Sequence, residues 1–138
     1  MDFKIRKGLD IPLTGTPEPI IEDGKPVSTV AALGTDVVGL KPRMAVRVGD
    51  RVKLGQALFV DKRNPTVKFT SPGAGEVVEI NRGARRALQS VVVRLEGDEA
   101  IEFERYADDQ IPNLDRETVK RNLVESGLWT AIRTRPFS

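Results

Sequence analysis

Hydrophobic and polar residues alternate through the middle of the chain, between residues 46 and 96. This spacing predicts β-strands that each bury one face. The first alternating set consists of Val46, Val48, Val52, Leu54, Leu58 and Val60. The second set consists of Val67, Phe69, Val77, Val78 and Ile80. Glycines within and between these sets indicate hairpin turns or bulges. A nearly continuous apolar run at Val91–Leu95 predicts a strand that is covered on both sides.

The two ends of the chain have different patterns. Glycines and prolines break residues 1–43 into short pieces, so extended segments and turns are expected there. Gly8–Gly15 is expected to lie extended on the surface, because Pro12 cannot donate to a strand ladder. After a β core at 44–100, residues 101–138 predict a terminal strand and short helices, leading into a following domain of a longer subunit.

The terminal part contains recognisable start and stop signals. Glu102–Tyr106 predicts the last short strand. Asp115 is a predicted helix N-cap, and Gly127 is the predicted helix end. Leu128–Ile132 predicts a second short helix. These elements give an expected fold class that is mostly β (α+β).

Composition excludes several classes of chemistry. The 138 residues are 39% hydrophobic and 30% charged, as in soluble globular domains. The chain has no cysteine and no histidine, which removes thiolate nucleophiles, disulfides, cysteine-held clusters and the Ser-His-Asp triad. We therefore expect no catalytic and no metal site within this chain. A net charge of +2 gives no general reason to bind nucleic acid.

Two stretches carry a resemblance to a known fold. Val46–Leu58 resembles the first half of a biotinyl/lipoyl-like barrel-sandwich hybrid, and Ser71–Val78 resembles its central turn. The resemblance implies a barrel-sandwich hybrid with an N-terminal extended segment and short C-terminal helices. It is silent on function.

Five further stretches resemble one protein family: Lys7–Gly15, Asp61–Pro65, Leu88–Val92, Glu102–Tyr106 and Ser126–Ser138. They are similar to the N-terminal part of the A subunit of the bacterial sodium-translocating NADH:quinone oxidoreductase. That complex uses NADH, flavins, iron-sulfur groups and quinone. The resemblance implies a peripheral subunit on the cytoplasmic face of the inner membrane, bound to the other subunits and especially to the membrane-embedded quinone-side subunit.

The same resemblance implies that this chain acts in an enzyme only as part of the complex, as scaffold with possible contacts to quinone. No cofactor is expected in this chain, and no Gly-x-Gly-x-x-Gly motif for NADH is present. The absence of a hydrophobic leader and of an 18-residue apolar run agrees with a cytoplasmic location.

Two groups of residues are candidates for a quinone or interface site. Trp129, Arg133 and Phe137 combine large aromatics with arginine, which is typical of interface anchors and suits a quinone slot. The competing interpretation is that Trp129 packs the terminal helix on the core. Gly34 and Gly39 allow the backbone to approach a flat ligand; the competing interpretation is an ordinary strand between two turns.

Three other groups are weighed against simpler interpretations. Lys62 suggests a prosthetic-group carrier, although Arg63–Pro65 departs from the carrier pattern and a solvated loop lysine is the simpler interpretation. A pure protein–protein adaptor is a further alternative. The cluster of Arg82, Arg85 and Arg86 suits phosphate or lipid headgroups, or else is a hairpin tip neutralised by Glu76 and Glu79. Glu102 and Glu104 form a possible acid/base pair or, more simply, a solvated strand edge.

Overall fold

The computed structural model describes residues 14–132. Within them, seven strands form the body of the protein: β1 (Thr29–Leu33), β2 (Pro42–Met44), β3 (Arg51–Val52), β4 (Ala57–Asp61), β5 (Asn64–Thr70), β6 (Gly75–Arg82) and β7 (Leu88–Leu95). One α-helix, α1 (Arg116–Glu125), follows the strands. Short 3₁₀ turns lie at Ala84–Arg86, Ile111–Asn113 and Leu128–Ala131. The mostly β fold class is confirmed.

The strands form two antiparallel sheets. One sheet has the order β1-β7-β6-β3, and the other has the order β2-β4-β5. β7 is therefore a central strand, with β1 along one edge and β6 along the other. β1, which precedes residue 44, is part of this sheet and pairs with β7 over its whole length.

The core lies between the sheets and is built from alternating residues. The buried hydrophobic cluster consists of Val46, Val52, Leu58, Phe59, Val77, Leu88, Val91 and Val93. Leu58 and Phe59 are consecutive, yet both are completely buried. The pairing of β4 with β5 shifts register between Ala57 and Phe59, and such a bulge lets two neighbours on one strand point inward.

Some predicted elements differ from the structure. Val48 and Leu54 are exposed, because residues 46–49 and 53–56 form turns and irregular backbone around the short β3. Val92 is only half-buried, so β7 is covered more on the Val91 and Val93 face than on the other. The segment predicted at Gly8–Gly15 lies outside the described residues, apart from its last two positions.

The predicted strand at Glu102–Tyr106 is wrong. The structure has no strand there; instead Ala100 forms a parallel bridge with Leu54 just before it. Phe103 packs over Gly55, where an added Cβ would lie 3.2 Å from the ring. Tertiary contacts therefore hold this extended segment without a strand partner.

The predicted helix and its boundaries are confirmed. The Asp115 carboxylate accepts from the Thr118 N–H at 3.0 Å and caps α1, and the hydrogen bonds from Thr118 lower the pKa of Asp115. Gly127, with φ of 80°, follows the last turn in the left-handed conformation. The predicted second short helix is the single 3₁₀ turn at Leu128–Ala131.

Ion pairs concentrate at the end of the first sheet where β6 begins and β7 finishes. Arg94 pairs with Glu76 and, at 3.0 Å, with Glu96. Arg51 also reaches Glu96, at 2.8 Å. The pKa of Glu96 is lowered, chiefly by its hydrogen bond from Arg94. We call Arg51, Glu76, Arg94 and Glu96 the paired end.

Candidate functional site

Trp129 and the segment between Gly34 and Gly39, two candidates predicted from the sequence, meet at one cleft. The cleft has a volume of about 410 Å³, within the range of small-molecule sites. It is lined by Asp36, Val37, Val38, Asp61, Asn64, Val67, Phe69, Trp129, Thr130 and Ile132. Loop 34–41 supplies one wall, β4 and β5 supply the floor, and the Leu128–Ala131 turn with Ile132 supplies the other wall.

The floor of the cleft is aromatic and rigidly supported. Phe69 on β5 stacks against Phe59 on β4, with ring centroids 4.7 Å apart and an interplanar angle of 13°. Phe59 is completely buried in the core, so one side of the Phe69 ring is fixed. Phe69 also borders a smaller adjoining cavity of about 240 Å³ that reaches Gly127. A flat apolar ligand would find a preformed surface here.

The wall formed by loop 34–41 is not the strand that the simpler interpretation expected. β1 ends at Leu33, and turns follow. Gly34 is buried, and its N–H donates to the Gln89 carbonyl at 2.9 Å. An added Cβ there would lie 2.5 Å from the Leu88 carbonyl oxygen, so the close backbone approach is to β7. Neither Gly34 nor Gly39 lines the cleft; Val37 and Val38 do.

Arg63 holds the loop against the β4–β5 hairpin. Its Nη2 donates to the Asp61 carboxylate at 2.7 Å and to the Gly39 carbonyl at 2.9 Å. The Lys62 N–H also donates to the Lys41 carbonyl at 2.8 Å. The Arg63 hydrogen bonds lower the pKa of Asp61 from 3.8 to about 2. Asp61 is therefore an ionised carboxylate at neutral pH, at the rim of the cleft.

The opposite wall depends on how α1 ends. Gly127 lies against β5, where a Cβ would be 2.8 Å from the Thr70 hydroxyl oxygen. The Thr130 hydroxyl donates to the Gly127 carbonyl at 2.9 Å and closes the 3₁₀ turn. Trp129 is 39% exposed and lines the cleft together with Val67 and Phe69 of β5, so its side chain is only partly covered. The predicted partners Arg133 and Phe137 lie outside the described residues.

The cleft thus includes the predicted Trp129 and part of the predicted segment around Gly34 and Gly39, although neither glycine lines it. Sequence reasoning missed the residues of the β4–β5 hairpin that line the cleft: Asp61, Asn64, Val67 and Phe69. Phe69 belongs to an alternating strand pattern and carries no separate signal. The Asp61-x-Arg63 spacing across a short turn was the one local signal for the bridge between loop and hairpin.

Lys62 occupies the tip of the β4–β5 hairpin. β4 ends at Asp61 and β5 begins at Asn64, which leaves Lys62 and Arg63 as the connecting turn. The Lys62 side chain is exposed. Its backbone is tied to Lys41, and Arg63 is tied to Gly39, so the turn is supported on one side and does not project freely.

The arginine cluster lies at the tip of the β6–β7 hairpin and is not neutralised as the simpler interpretation expected. Glu76 pairs with Arg94 at the far end of the hairpin, and Glu79 accepts from Asn81 at 3.0 Å. No ion pair within residues 14–132 involves Arg82, Arg85 or Arg86.

Glu102 and Glu104 do not form the predicted strand-borne pair. Glu104 accepts from the Tyr106 hydroxyl and from Arg121 Nη2 at 2.9 Å, and these contacts lower its pKa. The Asn122 side chain donates to the Glu104 carbonyl at 3.0 Å. Glu104 therefore fastens the extended segment to α1.

The described residues offer neither a carboxylate metal site nor a membrane-spanning helix. Residues 14–132 contain no cluster of three or more Asp or Glu side chains arranged to hold a metal ion. In the same part of the chain, no helix combines the length and the hydropathy required to cross a bilayer.

Comparisons with known proteins agree with this architecture. The family described as NqrA N-terminal barrel-sandwich hybrid domain matches residues 3–96, and the NqrA second alpha/beta domain matches residues 114–138. The cleft therefore lies where residues matched by the first domain meet residues matched by the second.

Curated relatives are similar over nearly the whole chain. The A subunit of the Na(+)-translocating NADH-quinone reductase of Pseudomonas aeruginosa (strain UCBPP-PA14) is 61% identical over 136 residues, which is 99% of this chain and 31% of the relative. The subunit of the same name from Vibrio anguillarum is 59% identical over 97% of this chain and 30% of its own length. The chain spans about a third of the length of the curated relatives it matches.

Proposed function

The chain belongs to the family of the NqrA N-terminal barrel-sandwich hybrid domain, and from this premise we propose that it is the N-terminal part of the A subunit of a Na⁺-translocating NADH-quinone reductase. The high identity to relatives of that name supports the proposal. According to this proposal, the chain acts within an oxidoreductase that couples NADH oxidation and quinone reduction to sodium transport. The subunit is peripheral, on the cytoplasmic face of the membrane, and binds the membrane-embedded quinone-side subunit.

Within that complex, the proposed role of this chain is to act as scaffold and to provide a contact site for the quinone ring. The cleft above Phe69 is the observation that carries the second part. Val37, Val67 and Trp129 offer apolar walls around an aromatic floor. Quinone carbonyl oxygens need donors at the rim. The Asn64 side-chain oxygen accepts from the Thr66 hydroxyl at 2.8 Å, which leaves the Asn64 amide nitrogen to donate.

Steady-state kinetics of the assembled complex test the quinone contact. Trp129→Ala removes one wall, and we expect it to raise KM for quinone by about tenfold, the loss of about 1.4 kcal/mol of binding. Electron transfer from NADH to an artificial acceptor should not change. Leu128→Ala is the matched control, because Leu128 lies on the same turn but faces a different cavity, beside Phe103 and Leu123.

Two results would refute the quinone contact. One is an unchanged KM for quinone in both Trp129→Ala and a second variant, Phe69→Leu. The other is that the mutated subunit is lost from part of the purified complex, while the complex that still contains it shows a normal KM for quinone. The second result would favour the adaptor role, in which the cleft binds another subunit.

A prosthetic-group carrier is the second candidate, because Lys62 is exposed at a hairpin tip. The backbone ties from Lys62 and Arg63 to loop 34–41 oppose the free movement that a carrier arm needs. The intact mass of the natively produced subunit decides between them. An added lipoyl or biotinyl mass that disappears in Lys62→Arg would establish the carrier.

A further inference from the structure

The tip of the β6–β7 hairpin exposes three arginines that form no ion pair with the rest of the fold. Arg82, Arg85 and Arg86 are all exposed. Their side-chain hydrogen bonding within residues 14–132 is local, since Arg82 Nη1 donates to the Arg86 carbonyl at 3.2 Å. No carboxylate of the described residues pairs with them. Their charges are therefore available to a partner outside residues 14–132.

The backbone at this tip is unfavourable for arginine. Arg85 and Arg86 have φ of 53° and 61°, and they are the two non-glycine residues with positive φ in the described part of the chain. The left-handed conformation costs roughly 1–2 kcal/mol for such a residue, whereas glycine or asparagine adopts it more easily. Because neither side chain gains an ionic contact in return, the cost is not offset by ion pairing within the described residues.

Loop 34–41 connects this tip to two further exposed lysines, Lys41 and Lys62. Loop 34–41 starts beside the tip, where the Gly34 N–H donates to the Gln89 carbonyl. It finishes beside the β4–β5 turn, where the Lys62 N–H donates to the Lys41 carbonyl. Val37 in the middle of this loop shares one cavity with Leu33, which pairs with Ser90 near the tip, and shares the cleft with Asp61 and Asn64, which flank the β4–β5 turn. The Lys41 and Lys62 side chains are exposed and lack ion pairs in the described residues.

We call this surface the basic end, and it consists of Lys41, Lys62, Arg82, Arg85 and Arg86. Arg63 adds no free charge, because Asp61 neutralises it at 2.7 Å. Loop 34–41 also contains the acidic residue Asp36, which already has an interaction partner. Val38, on the same loop, is 86% exposed and offers an apolar side chain to solvent.

We propose that the basic end binds the anionic phospholipid headgroups of a membrane surface. The cations stand on two hairpin turns and a loop, and none of them lines the cleft above Phe69, so they suit a broad anionic surface better than one enclosed anion. Five cations without an ion pair in residues 14–132 fall within the range of four to eight that is typical of a lipid-binding cluster. Exposed Val38 can enter the headgroup layer. The proposal does not depend on quinone binding.

Vesicle flotation of the full-length subunit tests the proposal. The probes are vesicles of phosphatidylcholine alone and of phosphatidylcholine mixed with phosphatidylglycerol. The test variant is Arg82→Gln with Arg85→Asn and Arg86→Asn, since asparagine tolerates the positive φ and preserves the turn. The matched control is Arg51→Gln, Lys53→Gln and Arg94→Gln, which removes the same charge from the opposite end of the sheet.

We expect the subunit to float with the phosphatidylglycerol vesicles and not with phosphatidylcholine alone. The test variant should bind about a hundredfold more weakly, at roughly fivefold for each cation lost, and the control should change by less than about twofold. Raising the salt concentration should abolish binding.

Three results would overturn the proposal: equal binding to both kinds of vesicle, equal losses in both variants, or unchanged flotation of the test variant together with its failure to assemble with the other subunits. The last result would identify an acidic protein surface as the partner of the basic end.

Discussion

The paired end and the arginine tip of the basic end lie at opposite ends of the β6–β7 strand pair and hold their charges in opposite ways. Glu76 and Arg82 lie near the two ends of β6, so they are about 20 Å apart along the same strand pair. At the paired end, Arg94 lies between Glu76 and Glu96. At the basic end, Arg82, Arg85 and Arg86 have no acidic partner in the described residues. The first set of charges serves the fold, whereas the second is directed outward.

The backbone follows the same division. Gly75 at the paired end has φ of 149° and lies so close to β7 that only glycine fits. At the basic end, arginines occupy left-handed positions that glycine or asparagine would fill at lower cost. At the paired end, the residue type suits the backbone conformation. At the basic end, it does not. Such departures are expected where a surface has another task.

The largest effect should come from Gly75→Ala. The new Cβ would lie 1.8 Å from the Arg94 carbonyl oxygen, so the β6–β7 pair must separate where it begins. We expect the free energy of unfolding to fall by about 3 kcal/mol or more, measured by urea denaturation. Gly97→Ala is the control: its φ is 77°, but no atom of the described residues lies within 4 Å of the new Cβ, and a loss of about 1 kcal/mol is expected. Equal losses would contradict the steric explanation.

The double change Arg85→Asn and Arg86→Asn should act in the opposite direction. Because asparagine adopts positive φ more readily than arginine, we expect unfolding to require about 1 kcal/mol more. Thermal and urea denaturation both measure this gain. Arg82→Asn lies on a strand instead of in the left-handed turn, and it should bring no gain. A loss of stability in the double variant would mean that the arginines do support the fold.

Arg94→Gln should give a smaller loss of stability. The change removes the ion pairs with Glu76 and Glu96, but all three side chains are partly exposed to solvent. Exposed pairs contribute little and are screened by salt. The thermal midpoint should therefore fall slightly at low ionic strength, and its difference from the native protein should vanish in concentrated salt. Arg82→Gln, at the basic end, should leave the midpoint unchanged at both salt concentrations.

The smallest effect concerns the ion pair between Asp61 and Arg63, which lies apart from both ends. The folded pKa of Asp61 is about 2, below its ordinary value of 3.8. Its ionised form is thus favoured in the folded protein, and this stabilisation is present above pH 4 and disappears as the pH falls towards 2. The difference in thermal midpoint between the native protein and Asp61→Asn should follow that course.

A double-mutant cycle provides the check on this ion pair. Arg63→Gln should add little once Asp61 has been replaced, because the two residues share one interaction. A midpoint difference that persists unchanged at pH 2 would show that Asp61 acts through packing and not through its charge.

The elements with strong local signals could be predicted from the sequence. Asp115 and Gly127 bound α1 because capping and positive φ depend on adjacent residues. A nearly continuous apolar run identified β7, and alternation identified β6. It failed at Glu102–Tyr106, where the same pattern arises because Phe103 covers Gly55 and Glu104 binds Arg121. A period of two residues records which side chains are covered, not whether a partner strand exists.

The cleft could be anticipated only in pieces. Trp129 was selected because it is a large aromatic near arginines, and loop 34–41 because of its glycines. Nothing local connects the two, since they are about ninety residues apart and meet only in the folded chain, across the floor formed by β4 and β5. The ion pair between Glu76 and Arg94 could not be predicted either. The arginines that follow Glu76 more closely in the sequence lie at the other end of its strand.

Gly127 has a consequence for how closely Trp129 approaches Phe69. It belongs to the stretch matched by the second domain, yet it rests on Thr70 of β5 with no space for even a methyl group. The two matched stretches are thus in close contact at this glycine. A side chain at position 127 would push the Leu128–Ala131 turn away from β5, and Trp129 would move away from Phe69 with it.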